Sequence, residues 1–144
     1  ECICASPWLE QLLSGEYGRW ARGFYLAYEA DQYFCMPAAA NKTVNGPIKI
    51  AVYGRSHTDR RCVQLALAGL EILSKSRDDL EVHFFGQDIL SFATAPFAAY
   101  NHGVLSPENL NELYNDCDIG ISFSGTNYSL VPQEMMASGL PLIE

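Results

Sequence analysis

The chain has 144 residues, of which 49% are hydrophobic and 18% charged, enough to bury the core of one ordinary globular domain. Its formal net charge of −8 at pH 7 argues against a nucleic-acid-binding surface, which would be basic. It contains no apolar run of about 18 residues, so the sequence predicts no membrane-spanning helix.

The cysteine pattern indicates a reducing compartment. The five cysteines are odd in number and irregular in spacing, and Cys2 and Cys4 stand too close together for a CxxC metal knuckle or redox pair. We therefore expect a cytoplasmic protein. The chain begins at Glu1 without a Met and stops at Glu144 where a strand should continue, so we expect both ends to be cuts and give the missing targeting signal no weight.

The amino-terminal third of the chain contains one clear helix signal. Ser6 at the cap and Pro7 at the first helical position, with an acid in the first turn, predict a helix that ends near Gly15. Residues 17–36 are rich in aromatic side chains and match no single element. Residues 37–47 have the composition of a linker.

From Ile48 onward, strands alternate with helices. The predicted strands are 48–53, 81–85, 99–102, 119–123 and 140–143, and the predicted helices are 61–75, 106–115 and a short one that begins near Pro132. Residues 87–99 match no element. Alternation of this kind predicts an α/β fold in which a Rossmann-like parallel sheet carries helices on both faces.

A basic cluster follows the first strand of this region directly. Arg55, Arg60 and Arg61 lie within seven residues and are three of the chain's nine Lys and Arg residues. Because the loops at the carboxyl ends of parallel strands bind ligands, and because Arg makes paired, charge-assisted bonds to phosphate, the cluster indicates an anion site. The alternative is a solvated loop with incidental arginines.

A second polar loop follows the apolar run that ends at Phe123. It carries Ser124, Gly125 and Ser129, and leads into the short helix with Glu134 in its first turn. The start of a helix offers free N–H groups and a positive dipole end to an anion, and one carboxylate there is well placed for sugar hydroxyls. The alternative is an ordinary first-turn acid that the helix dipole favours.

Several common site motifs are absent from the sequence. It has no GxGxxG, no GxxxxGK[ST] and no GxSxG motif, so dinucleotide, P-loop and hydrolase chemistry are not supported. The three histidines, His57, His83 and His102, share no helical spacing with each other, and no set of His, Asp and Cys has the spacing of metal ligands. We therefore expect no zinc site.

Together these residues resemble the nucleotide-binding C-terminal domain of family-4 retaining glycosyltransferases with the two-domain GT-B architecture, and within it the rhamnosyltransferase-like branch of bacterial surface polysaccharide synthesis. The matching segments are Tyr53-Gly54-Arg55 with Arg60-Arg61, Gly103 to Tyr114, Cys117 to Ser122, and Pro132 to Pro141. The resemblance covers residues 48–144. It implies that 1–36 are the helical tail of a preceding domain and the crossover between domains, with 37–47 as linker.

In this family a basic pair holds the donor diphosphate, the amides of a loop and helix start face the phosphates, and an acid binds the ribose hydroxyls. Position by position, the resemblance gives these roles to Arg55 with Arg60 or Arg61, to Tyr128, Ser129, Leu130 and Val131, and to Glu134, in that order. Glu134 matches the second acid of the family's EX7E motif. The first acid should fall at Thr126, so the chain departs from the pattern there and no catalytic residue is assigned.

The resemblance implies retaining, metal-independent transfer of a sugar from a dTDP- or UDP-sugar, without a cofactor. The glycan acceptor would bind the missing preceding domain, so we expect no turnover by this fragment alone. Peripheral membrane association of the full-length protein is compatible with this role. The sequence identifies neither the sugar, the base, the acceptor, the linkage nor the oligomeric state.

Two other classes of protein share this sequence pattern. A non-catalytic α/β ligand-binding or regulatory domain, such as a receiver-like module, would need an acidic pocket at the end of the first strand, where this chain is basic. A Rossmann oxidoreductase would need the missing glycine motif. Binding of UDP, dTDP, GDP or NAD discriminates among the three.

Overall fold

The fold was analysed in a computed structural model that describes residues 1–40, 42–43, 46–87, 95–126 and 129–144. In chain order its elements are β1 (Cys2–Cys4), α1 (Pro7–Gly15), β2 (Ala21–Gly23), α2 (Pro37–Ala40), β3 (Ile48–Tyr53), a 3-10 turn (Asp59–Arg61), α3 (Val63–Leu73), β4 (Leu80–Phe85), β5 (Ala98–Asn101), α4 (Pro107–Asp116), β6 (Ile119–Ile121), α5 (Val131–Ala137) and β7 (Leu142–Ile143).

A five-stranded sheet in the order β5-β4-β3-β6-β7 organises the larger part of the chain. Every neighbouring pair is parallel, with Ile48 opposite Leu80 and Ile50 opposite Ile119. The chain first builds outward from β3 through β4 to β5, then returns to the other side of β3 with β6. Ligands bind in such sheets at the crevice where the strand order reverses, which here lies between the carboxyl ends of β3 and β6.

Helix α3 covers one face of this sheet. Alternate residues of the strands, such as Ile50, Val52 and Phe84, point to that face, because successive side chains of a strand point to opposite sides. They pack against Ala66 and Leu70 of α3 in a core cluster of buried residues.

Helices α4 and α5 cover the opposite face. There the other strand residues, Ala51 and Phe85 among them, pack against Tyr114 of α4 and Met135 of α5. Gly120 of β6 allows α5 to approach closely, since a Cβ atom at this position would stand 2.6 Å from Sδ of Met135. The expected α/β class, a Rossmann-like parallel sheet with helices on both faces, is therefore confirmed.

The first 23 residues form a separate small unit, in which β1 and β2 pair in parallel and α1 connects them. The Ser6 side chain caps α1 by accepting a hydrogen bond from the Leu9 amide at 3.1 Å, as the sequence predicted. The two strands were not predicted, because three residues each are too short to show alternation. These three elements make their main contacts with one another.

Residues 33–36, called the strap below, run across α4 and α5. Tyr33 is buried there, with its ring 6.2 Å from that of Tyr114. Two asparagines of α4 hold the strap's backbone: Asn111 Oδ1 accepts from the Phe34 amide at 3.1 Å, and Asn115 Oδ1 from the Met36 amide at 2.7 Å. The strap is thereby fixed to α4, and Tyr33 belongs to the same core cluster as Met135 of α5.

The remaining differences from the predicted elements are at their ends. The predicted helix 61–75 begins at Val63 and ends at Leu73, and the predicted strands 119–123 and 140–143 are shorter, at Ile119–Ile121 and Leu142–Ile143. The predicted linker contains the short helix Pro37–Ala40. Most of the unplaced segment 87–99 lies outside the described residues.

Candidate functional site

A cleft of about 620 Å³ opens at the carboxyl edge of the sheet. Its floor comes from the ends of β3 and β4, its sides from α4 and from the start of α5. Among the described residues, its lining comprises Tyr53, Arg55, His57, Phe85, Gly86, Gln87, Val104, Leu105, Leu110, Tyr114 and Val131. Polar groups therefore gather at the β3 side and apolar groups at the α4 side.

The two loops singled out by the sequence meet at this edge. The Gly125 amide, in the loop after β6, donates a hydrogen bond of 2.7 Å to the Arg60 carbonyl in the loop after β3. Arg61 adds a second link, because its Nη1 donates to Ser124 Oγ at 3.3 Å. The basic cluster and the polar loop thus form one surface.

Arg61 is the buried member of the basic cluster. It is 8% exposed, and its guanidinium lies 5.2 Å from the centre of the Tyr53 ring. Among the described residues no carboxylate pairs with it, and its Nε has no hydrogen-bond partner. Burial of a guanidinium costs free energy unless an anion compensates it. Arg61 is not among the described residues that line the cleft.

Arg55 and Arg60 are more accessible. Arg60 is half-buried and Arg55 exposed at the edge of the cleft. The Arg55 Nε donates to His57 Nε2 at 3.0 Å, and His57 Nδ1 lies 2.8 Å from Gln87 Oε1. Since an arginine Nε can only donate, His57 accepts at Nε2 and carries its proton on Nδ1. This chain of contacts orients Arg55.

The loop before α5 is only partly described, and Tyr128 lies outside the described residues. Ser129 is buried, and its Oγ accepts from the Val131 amide at 3.3 Å. That amide, one of those expected to face phosphate, therefore has an internal partner. Leu130 occupies the cap position of α5 and Val131 lines the cleft.

Glu134 lies in the first turn of α5, as the sequence predicted, and is half-buried. Burial raises the pKa of its carboxyl above the ordinary value. The Glu134 carboxylate lies near two tyrosines. Burial, and after it the charge of Glu134, raises the pKa of Tyr33 to about 12. The same two causes raise the pKa of Tyr114. Glu134 is therefore close to Tyr33 and Tyr114, and it is not among the described residues that line the cleft.

Hydroxyl groups at the crevice escaped the sequence analysis. Among the described residues, four buried side-chain polar atoms lack a hydrogen-bond partner, and three of them lie around this edge: Arg61 Nε, Tyr114 Oη and Ser122 Oγ. Buried polar groups in proteins nearly always have partners, so these three atoms call for an explanation. Tyr114 sits in an ordinary amphipathic pattern, which gave no sign of this.

No three or more His, Cys, Asp and Glu side chains among the described residues come close enough together to hold a metal ion. The described helices also include none with the length and apolar character needed to cross a membrane. Thr126, where the EX7E pattern has its first acid, is an exposed residue next to Gly125.

Comparison with known proteins identifies the domain. The family model of the WsaF C-terminal domain matches residues 48–144, which is the region of the five-stranded sheet. The O-antigen biosynthesis protein RfbC of Myxococcus xanthus is 32% identical over 102 residues, which cover 68% of this chain and 8% of that protein. The chain thus spans a small part of this relative's length.

A solved structure matches the fold over almost the whole chain. Sucrose-phosphate synthase of Thermosynechococcus elongatus superposes with a TM-score of 0.72 at 16% identity, covering 98% of this chain and 39% of that one. At this identity the likeness concerns the fold. It agrees with the fold expected for a GT-B glycosyltransferase domain.

Proposed function

Because the chain belongs to the family of WsaF C-terminal domains, we propose that it forms the donor-binding half of a glycosyltransferase that uses a nucleoside-diphosphate sugar. The similarity to an O-antigen biosynthesis protein favours a role in polysaccharide synthesis. Rhamnosyl transfer from a dTDP- or UDP-sugar to a glycan acceptor, with retention and without a metal, is the specific reaction we propose for the whole protein.

The buried guanidinium of Arg61 is the observation that carries this proposal. It lacks a carboxylate partner among the described residues and lies where the loops after β3 and β6 meet. A diphosphate at this crevice would supply the missing counter-charge. Planar guanidinium groups bind phosphate oxygens in pairs, so Arg61 with the more accessible Arg55 could hold the two phosphates.

Arginines matter more here than the helix dipole. Helix α5 has seven residues, and Val131 already donates its amide to Ser129. The amides of Ser129 and Leu130 remain as further candidates for phosphate contacts. Arg60, whose carbonyl fixes the neighbouring loop, would contribute to the positive field around the diphosphate.

Glu134 is proposed to bind the ribose. Its raised pKa reflects a carboxylate with little solvation, and hydroxyl donors of a ribose would stabilise the charged form. The apolar side of the cleft, formed by Val104, Leu105 and Leu110, suits the flat face of a base.

The chemical task of this half-site is stabilisation of the leaving diphosphate. Negative charge develops on the leaving group as the bond to the sugar breaks, and arginines fixed before the reaction stabilise it without reorganisation. Arg55 is oriented by His57, and Arg61 by Tyr53 and Ser124. Thr126 supplies no carboxylate, so we assign no catalytic acid or nucleophile to this chain.

A thermal-shift and calorimetric titration of the intact protein with UDP, dTDP, GDP and NAD tests the proposal. We expect a nucleoside diphosphate to raise the melting temperature and NAD to have no effect. Arg61→Met should weaken the binding at least about tenfold, as loss of a charged hydrogen bond does, without lowering the melting temperature of the free protein.

The matched control is Arg77→Met, since Arg77 pairs with Asp79 on an exposed turn before β4, and the cleft lies at the opposite end of that strand. It should leave nucleotide affinity unchanged. Binding of NAD in preference to the diphosphates, or no binding of any of the four, would contradict the proposed function.

A further inference from the structure

Gln87 lines the cleft just beyond the end of β4, and one oxygen of its side chain meets three groups of the loop after β3. Its Oε1 is 3.1 Å from the His57 backbone amide, 2.8 Å from His57 Nδ1 and 3.2 Å from Ser56 Oγ. A backbone N–H can only donate, so the Gln87 atom that it meets must be the amide oxygen. The His57 Nδ1 beside the same oxygen must then carry a proton.

The other end of the His57 ring is fixed in the same way. Arg55 Nε lies 3.0 Å from His57 Nε2 and can only donate, so Nε2 accepts and carries no proton. A neutral imidazole has two tautomers, and the hydrogen bond at one ring nitrogen determines which of them is present. Here Gln87 and Arg55 both select the tautomer with its proton on Nδ1.

The backbone around Gln87 fixes its position against the loop after β3. The Gly54 amide donates to the Phe85 carbonyl at 2.8 Å, which joins the ends of β3 and β4. Gly86 follows with a φ of 93°, and a Cβ atom there would collide with the Tyr53 ring, so only glycine fits. Gln87 is thereby placed beside His57 by the ends of the two central strands.

The contact with His57 restricts the Arg55 side chain while leaving part of it available. Arg55 is exposed at the edge of the cleft, where a long side chain otherwise has many rotamers. With Nε bound to His57, its two terminal nitrogens remain as the pair that can reach phosphate oxygens. A side chain that is ordered before the ligand arrives loses less conformational entropy on binding.

We propose that Gln87 is a positioning residue of the donor site: by holding the His57 proton on Nδ1, it keeps Nε2 open to Arg55 and so orients the guanidinium for the diphosphate. The inference rests on the proposed function. It adds to that function a residue that acts on the phosphates through two other side chains.

The first measurement concerns the position of the His57 proton in the free protein. Nitrogen NMR of the histidine rings distinguishes the two tautomers, and His57→Asn identifies the His57 signals. We expect a proton on Nδ1 in the wild type and a shift toward the other tautomer in Gln87→Met. An unchanged tautomer in Gln87→Met would overturn the role of Gln87, whether or not a nucleotide binds.

The second measurement is calorimetric titration of the intact protein with UDP. Gln87→Met should weaken binding about fivefold, as loss of one neutral hydrogen bond does. In an Arg55→Met background the same substitution should have no further effect, because Gln87 acts through Arg55. The matched control is Gln11→Met, since Gln11 is exposed on α1 and does not line the cleft. It should leave UDP affinity unchanged.

Gln87→Glu separates positioning from a merely structural role, because a carboxylate still accepts from Ser56 and from both N–H groups of His57. Its charge favours the doubly protonated ring, which has no nitrogen left to accept from Arg55. UDP affinity of this variant should therefore fall at pH 7 and recover by about pH 9, as the ring loses its second proton. Wild-type affinity should stay constant over the same range.

Three results would overturn the role of Gln87. They are an undiminished effect of Gln87→Met in the Arg55→Met background, wild-type affinity of Gln87→Glu at pH 7, and a loss in Gln87→Glu that does not recover with pH. A wild-type protein that shows the expected tautomer but binds none of UDP, dTDP and GDP would instead overturn the proposed function itself.

Discussion

Arg61 and Glu134 are residues of opposite charge at one edge of the sheet: Arg61 is buried, with no carboxylate partner among the described residues, and Glu134 is half-buried. Arg61 has lost most of its solvent, and burial raises the pKa of Glu134. Burial disfavours the charged form of each side chain, so under the proposed function a ligand with phosphates at one end and hydroxyls at the other would stabilise both. The free energy lost on burial of the two charges would then be recovered on binding.

Glu134→Gln provides a prediction about pH. The pKa of Glu134 is raised in the folded protein, so the folded state holds this proton more tightly than the unfolded chain does. The free energy of unfolding therefore falls as the pH rises from the ordinary pKa of the carboxyl through the raised one. Glu134→Gln should therefore raise the melting temperature at pH 7 and change it little at pH 4. Melting curves across this range measure the effect.

The same substitution should weaken nucleoside-diphosphate binding by about tenfold at pH 7, because charged hydrogen bonds to the ribose are lost. Wild-type affinity should fall as the pH drops through the raised pKa, while the affinity of Glu134→Gln should follow a flatter profile. A lower melting temperature of the variant at pH 7, with unchanged affinity, would assign Glu134 to the fold instead.

The element that carries Arg61 is a short turn with an unusual backbone. Cys62 follows the 3-10 turn and precedes α3, and its φ of 47° lies in the left-handed region. A residue other than glycine is strained there by roughly 1–3 kcal/mol, and such strain is common at functional sites. The turn directs the chain from Arg61 into α3, and so it fixes where the guanidinium lies.

The effect of a Cys62 substitution on the free energy of unfolding should depend on whether the new side chain is branched at its Cβ. Cys62→Val should lower the free energy of unfolding by about 1–3 kcal/mol, because β-branching is poorly tolerated at positive φ. Cys62→Gly should change it by less than about 1 kcal/mol, since relief of strain is offset by greater freedom of the unfolded chain. Urea denaturation of the two variants measures the difference, and equal losses would refute the strain.

The accuracy of the sequence predictions also differed by element. Strand β3 was predicted to the residue, because it is central and apolar except at Lys49. Strands β1 and β2 were not predicted, because they are too short to show an alternating pattern and are recognised as strands by their pairing with each other. Arg60 and Arg61 differ in burial, which depends on contacts between distant parts of the chain. The lack of a partner for the Tyr114 hydroxyl among the described residues also depends on such contacts. Neither property can be predicted from the local sequence.

At the scale of the whole molecule, the described residues form a small β1-α1-β2 unit and a larger sheet domain. The strap packs against the sheet domain. The strap places Tyr33 in the core beside Tyr114 and ties two of its amides to α4. The strap therefore contributes to the stability of the sheet domain, although it precedes that domain in the sequence. The family match from residue 48 therefore leaves out part of the folding unit.

Two truncations test this boundary. A chain that starts at Asp31 keeps the strap and should unfold at nearly the same urea concentration as the complete chain. A chain that starts at Pro37 loses the burial of Tyr33 and three hydrogen bonds with buried asparagines, and should be less stable by about 3 kcal/mol or more. Equal stability of the two would show that the strap is dispensable.

The single oxygen Oδ1 of Asn111 accepts hydrogen bonds from the Phe34 amide, from Ser138 Oγ at 2.8 Å and from Asn115 Nδ2 at 3.2 Å. Groups that share an acceptor do not contribute independently, so the effects of changing them are not additive. Selection on these positions is therefore expected to be coupled. A lineage that replaces Asn111 with an apolar residue removes one of the two acceptors of the Ser138 hydroxyl, the other being the Glu134 carbonyl at 2.9 Å, and the two positions should therefore covary.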